Sequence, residues 1–147
     1  YTLMGIETLS LRMERHVDNA KMVSKWLEDD PLTDYVTYAG LDSSPYSKLI
    51  PKICPRGAGA LFTVAVKGGY DACVKLVDSL AIFSIVAYLG DTRGLIIHSA
   101  STTHRQLTAE QQEAAGAGPG IVRLSIGTED VDDIIADLDQ ALTKATA

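Results

Sequence analysis

The stretch IVRLSIGTEDVDDIIADLDQALT, residues 121–143, decides the fold. Ile121 to Ile126 is aliphatic except for Arg123 and Ser125, and such a run reads as a strand. The period then changes. Val131, Ile134, Ile135, Leu138 and Leu142 recur at helical spacing, which predicts an amphipathic helix to about Thr143 with its apolar side toward a core. Thr128 stands where an N-cap is expected. Glu129, Asp130, Asp132 and Asp133 then fall in the first turn, where carboxylates complement the positive end of the helix dipole. A cluster that could suggest a metal site has a structural explanation there. A strand running straight into a one-sided helix calls for a sheet with that helix laid on one face.

Outward from this unit, the chain supplies the other parts. Ala60 to Val66 reads as a buried strand, Lys67-Gly68-Gly69 as a tight turn, and Tyr70 to Leu80 as a helix burying Ala72, Leu76, Val77 and Leu80. Ile82–Leu89 and Leu95–His98 are apolar runs expected as strands, joined through Gly90–Gly94. Leu107 to Ala115 is expected as a short helix capped by Thr108, and Gly116–Gly120 as loop. Because that glycine-rich segment precedes a strand rather than a helix, it fails the context for cradling a phosphate. Toward the N-terminus, Tyr35–Ala39 reads as a strand, Pro45 starts a short helix through Ile50, and Pro51 and Pro55 frame a loop. From Thr2 to Asp29, Leu9, Met13, Val17, Ala20, Val23 and Leu27 form one helical stripe opposite a charged face, and Pro31 ends it. The expected class is α+β: a mostly antiparallel sheet with helices on one face. The chain begins at Tyr1, inside this helical pattern, and we expect it to be part of a longer protein.

Composition narrows the function. The 147 residues are 46% hydrophobic and 22% charged, the balance of a globular protein. A net charge of −6 with scattered basic residues argues against a nucleic-acid partner. No apolar run suits a membrane span and no signal segment is evident, so a cytoplasmic location is expected. Cys54 and Cys73 fit no metal spacing and are expected as free thiols.

Two features carry potential chemistry. His98 and His104 flank Ser99-Ala100-Ser101-Thr102-Thr103, a run of hydroxyls with no carboxylate at a readable spacing. Arg123 lies mid-strand between Val122 and Leu124. It reads either as a surface residue at a sheet edge or as a planar fork that holds a substrate carboxylate through two parallel hydrogen bonds.

Taken together, GIETLSLRMERHVDNA (5–20), YAGLDSSPY (38–46), GAGALFTV (57–64), LGDTRGLIIHSASTTH (89–104) and VRLSIGTEDVDDIIADL (122–138) resemble the C-terminal part of the Cys/Met-metabolism family of pyridoxal-phosphate enzymes. The resemblance covers essentially the whole chain, and the SSPY, GDTR and STTH segments are most similar to its O-acetylhomoserine sulfhydrylase branch. It implies the small C-terminal domain of a fold-type I pyridoxal-phosphate enzyme. Residues 1–29 would be the helix linking it to a missing cofactor domain, and residues 30–147 the domain that binds the substrate carboxylate. The implied reaction replaces the acetyl group of O-acetylhomoserine with sulfide or a thiol, as in methionine biosynthesis. Cystathionine γ-synthase or methionine γ-lyase chemistry, or a stand-alone amino-acid-binding module, are the alternatives. By the same resemblance Arg123 is the carboxylate-binding arginine, Thr103 lines the pocket and supports it, and Tyr88 presents its backbone to the substrate carboxylate. Ser99 replaces the family's usual proline. No catalytic, cofactor-binding or metal-binding residue is carried over. Pyridoxal phosphate belongs to the intact enzyme, the fragment alone is expected to bind none and be inactive, and the intact protein is expected to be a homotetramer.

Overall fold

The computed structural model describes residues 1–147. A short helix α1 (Thr2–Glu7) is separated by Thr8 from the long helix α2 (Leu9–Asp29), which leads into strand β1 (Thr33–Thr37). There follow α3 (Ile50–Ile53), β2 (Leu61–Val66), α4 (Gly69–Ser79), β3 (Ser84–Ile85) and β4 (Leu95–Ile97). The chain ends with α5 (Ala109–Ala114), β5 (Ile121–Ser125) and α6 (Val131–Thr146). The five strands form one sheet in the order β1-β2-β5-β4-β3. All pairings are antiparallel except β3 with β4.

The period-2 rule separates the two faces of this sheet. Phe62, Val64 and Val66 from β2, Val122 and Leu124 from β5, and Ile96 from β4 point into one continuous core. Onto it α2 contributes Ala20, Val23 and Leu27, α4 contributes Ala72, Cys73, Leu76 and Val77, and α6 contributes Ile134, Leu138, Ala141 and Leu142. Each leucine or isoleucine so buried stabilises the fold by roughly 1.5–3 kcal/mol before entropy is counted. The mostly antiparallel sheet with helices on one face is therefore as expected.

Several expectations need correction. The helix after β5 is capped by Asp130, whose side chain accepts the Asp132 N–H, and not by Thr128. Thr128 donates its hydroxyl instead to the Thr92 carbonyl, and Glu129 lies outside the first turn. The predicted strand Ile82–Leu89 shrinks to Ser84–Ile85: the Val86 N–H makes the last bond to β4, and beyond it Tyr88 and Leu89 leave the sheet edge and stand exposed. Pro51 opens α3 rather than framing a loop, using the first-turn position where a missing N–H costs nothing. The helix predicted to start at Pro45 is a single 3₁₀ turn, Ser47–Leu49, that runs on into α3. Leu9 and Met13, counted with the apolar stripe of the first helix, are exposed. On the charged face, Lys25 pairs with Glu28 and Asp29. Thr108 does cap α5, in a reciprocal capping box with Gln111. Both cysteines are free.

Candidate functional site

The second face of the sheet is the one that faces away from the helices. The register places Thr37, Thr63, Arg123 and Ile97 side by side across β1, β2, β5 and β4. Directly opposed residues share a face, so Arg123 projects from the middle of the sheet with a threonine on one side and an isoleucine on the other. Leu61 and Ser125 form the next row.

Arg123 is half-buried and makes no ion pair with any carboxylate. Its one protein hydrogen bond is long, from Nη2 to the Tyr88 carbonyl at 3.5 Å. A guanidinium has five N–H donors in a rigid fork, so most of this group's capacity is free. An unpaired planar cation on a rigid strand, steered by one carbonyl, is suited to take a carboxylate through two parallel hydrogen bonds.

The structure thus brings together two of the three residues singled out in the sequence, Arg123 and the backbone of Tyr88. The Tyr88 side chain is 65% exposed, and the contact with Arg123 is made by the carbonyl. Thr103 is exposed, and its hydroxyl meets His104 Nδ1 at 2.9 Å with no hydrogen bond to Arg123.

His98, at the end of β4, is 1% exposed. Its Nε2 lies 2.8 Å from the Pro119 carbonyl, so that nitrogen carries the proton, while Nδ1 lies 3.0 Å from the Ser101 hydroxyl. Tyr70 meets the ring edge-on, the centroids 4.9 Å apart. Burial pushes the imidazole pKa below its usual value, partly offset by the carbonyl of Pro119. Both nitrogens are occupied, which makes this histidine a structural tie between β4 and the loop before β5. Burial likewise raises the Cys73 thiol to about 12 and keeps it protonated.

Two buried polar residues of α2 carry no signal in the sequence pattern. Asn19 donates to the carbonyls of Gly127 at 3.1 Å and Glu129 at 2.9 Å. His16 Nδ1 sits 2.6 Å from the Ile126 carbonyl and so bears the proton, which leaves Nε2 a bare acceptor, buried and without a partner. His16 lines a cavity of about 240 Å³ together with Met13, Leu61, Leu89, Gly90 and Ser125. That cavity borders the exposed segment that carries Tyr88.

The family model for Cys/Met metabolism PLP-dependent enzymes matches residues 1–143. An O-acetyl-L-homoserine sulfhydrylase of Leptospira meyeri is 46% identical over 141 residues, 95% of this chain and 32% of that protein. An L-methionine gamma-lyase of Fusobacterium nucleatum subsp. polymorphum is 44% identical over 144 residues, 98% of this chain and 36% of the relative. A crystal structure from Campylobacter jejuni, described as a candidate O-acetylhomoserine (thiol)-lyase with a pyridoxyl-lysine phosphate adduct, superposes with a TM-score of 0.89 at 41% identity. It matches 96% of this chain and 34% of its own. The chain thus spans about a third of the length of the relatives it matches.

The family's cofactor is not accommodated by the residues around Arg123 alone. None of Thr37, Leu61, Thr63, Tyr88, Ile97 or Ser125 is a lysine. What this face offers is a cation for a carboxylate, on a scaffold shared over nearly its whole length with relatives three times as long. The chain belongs to the Cys/Met metabolism family of pyridoxal-phosphate-dependent enzymes.

Proposed function

We propose that these residues are the C-terminal part of an O-acetylhomoserine sulfhydrylase and that Arg123 holds the α-carboxylate of the amino-acid substrate. The supporting observation is Arg123 itself, a half-buried guanidinium mid-strand with no carboxylate partner and a single carbonyl to steer it. A bound carboxylate would accept two N–H bonds from the fork, and the Tyr88 carbonyl would keep the fork's plane from turning. Fixing the substrate by its carboxylate restricts the position of its α-carbon, and such restriction is a large part of what an enzyme contributes to rate. Thr63, beside Arg123 on β2, offers a hydroxyl to the same region. Thr103 would serve only after a rearrangement that turns it from His104.

On this reading residues 1–29 form the helix that links to a preceding cofactor domain, and residues 30–147 form the carboxylate domain. That preceding part would hold pyridoxal phosphate and carry the reacting groups. The reaction is replacement of the γ-acetyl group by sulfide or a thiol, giving homocysteine or methionine. We further propose a cytoplasmic homotetramer. The gamma-lyase relative, nearly as similar as the sulfhydrylase, supports elimination from methionine as the second reading.

The intact gene product, incubated with O-acetyl-L-homoserine and sulfide, is expected to form homocysteine. Release of a 2-oxo acid from L-methionine in its place would favour the lyase reading. Arg123→Lys keeps the charge and loses the fork, so it is expected to raise KM for the amino acid about tenfold. An unchanged KM would remove the carboxylate role.

A further inference from the structure

The segment from Val86 to Arg93 has no regular structure beyond its β3 end, and most of it is exposed. Yet its Tyr88 carbonyl is the only protein group that receives Arg123. What holds this loop therefore decides where that carbonyl stands. Its first limb is tied to the sheet by the Val86 N–H on the Ile96 carbonyl at 3.3 Å. Midway, the Gly90 N–H reaches the Ser125 hydroxyl at a long 3.4 Å.

The second limb is tied by two residues of the turn between β5 and α6. Thr128 gives both its backbone N–H, at 2.8 Å, and its hydroxyl, at 3.0 Å, to the Thr92 carbonyl. Glu129 Oε1 accepts the Gly94 N–H at 2.5 Å. The other carboxylate oxygen of Glu129 is buried and unpartnered, against Gly127. The turn itself is anchored from behind by α2, since Asn19 and Arg15 both donate to the Glu129 carbonyl and His16 to that of Ile126.

We propose that Thr128 and Glu129 are positioning residues for the carboxylate site: together they latch the second limb of the 86–94 loop and so hold the Tyr88 carbonyl that steers Arg123. The inference rests on the reading of Arg123 as the carboxylate clamp. It gives these two residues a role other than helix capping, and it explains why a carboxyl group accepts burial with one oxygen unsatisfied, a costly arrangement. Glu129 acts here as a hydrogen-bond acceptor, so its charge is not what the latch requires. Without the latch the loop keeps the Val86 tie, the long Gly90 contact and the Ser84 N–H on the Gly94 carbonyl at 2.9 Å, and nothing outside the loop holds Thr92. The carbonyl would then sample many positions, and the fork would lose the orientation a carboxylate needs.

The test uses the intact enzyme and two readouts. One is KM and kcat for its amino-acid substrate. The other is the calorimetric Kd for L-norleucine, which has the α-carboxylate and no leaving group. Glu129→Ala is expected to raise KM and Kd about tenfold with kcat changed less than about threefold, and Thr128→Val, which loses the hydroxyl bond and keeps the backbone bond to Thr92, to raise them about fourfold. Glu129→Gln keeps an acceptor at Oε1, and Thr128→Ser keeps the hydroxyl, so both are expected to stay within about twofold of the parent. Arg123→Lys serves as the reference. If it leaves Kd unchanged, the clamp reading itself has failed. If it weakens binding while Glu129→Ala and Thr128→Val do not, the latch is overturned and the clamp stands. A lowered Tm with unchanged Kd, or Glu129→Gln as damaging as Glu129→Ala, overturns the latch equally.

Discussion

Asp137 shows how much a single side chain contributes from a position that looks ordinary. It lies on α6, is 6% exposed, and its carboxylate accepts the N–H groups of Ala81, at 3.0 and 3.1 Å, and Ile82, at 2.8 Å. These groups follow the end of α4 and have no other partner. Asp137→Ala leaves two partly buried donors without a protein partner and is expected to destabilise the chain by roughly 1–2 kcal/mol, measured by urea unfolding. Asp137→Asn keeps one acceptor oxygen and is expected to lose about half as much. Gly127 is constrained differently. A Cβ there would run into the Gly94 nitrogen, the Arg93 carbonyl carbon and Glu129 Oε2, two of which are backbone and cannot yield. Gly127→Ala is expected to cost roughly 2 kcal/mol or more in the same assay and to disturb the 90–94 loop, read as faster amide exchange at Gly94. Neither residue was legible beforehand. An aspartate in a charged helix reads as solvated, and its partners lie 55 and 56 positions away in the chain.

At the scale of elements, what the sequence pattern discloses is what repeats. The β5–α6 unit is legible because its period switches, and the faces of α4 and α6 are as read because Ala72, Leu76, Ile134, Leu138 and Leu142 are all buried. Non-repeating ties are invisible. His16 and Asn19 interrupt the apolar face of α2 with polar groups whose partners lie 108 to 110 residues onward. Of the candidate site, Arg123 is legible as a cation mid-strand. The Tyr88 carbonyl has no side-chain signature, and the latch at Thr128 and Glu129 resembles an ordinary helix start. The tie made by His98 between β4 and the loop before β5 has a pH signature. Burial lowers its pKa in the folded chain below the usual 6.5, so the unfolded chain takes the proton first as pH falls. Its contribution is complete above the usual value and is lost progressively as pH drops from there toward the lowered folded value. The Tm of the chain is expected to decline over that window, and His98→Asn to flatten the decline. An identical slope in the variant would assign the pH dependence to other groups.

The whole molecule has two unlike halves. The end built from β1, β2, β5, α4 and α6 is closed around its core. The end built from α1 and the start of α2 is not, with Leu3 78%, Met4 68% and Leu11 67% exposed. Ile6, Leu9 and Met13 line a groove of about 500 Å³ next to Gly57, whose φ of +116° and close approach to Val17 leave no room for a side chain. Leu61 and Leu89, which line the neighbouring cavity together with Met13, are exposed as well. Monomeric proteins rarely leave so much contiguous apolar surface in water. In the reading proposed above, the rest of the enzyme covers this face. The 147-residue chain by itself is therefore expected to associate through it, with a sedimentation coefficient that rises with concentration. Because the contact is apolar, added sodium chloride should not disperse the complex, whereas an ion-paired contact would weaken on screening. Replacing Leu3 and Leu11 with glutamate should return the chain to a monomer without lowering its Tm, since neither side chain is buried in the folded domain. A chain that stays monomeric at high concentration would show that α1 and the first half of α2 satisfy themselves. A double variant that still associates would move the contact to the open face of the sheet around Arg123, where bound amino acid should then compete with it.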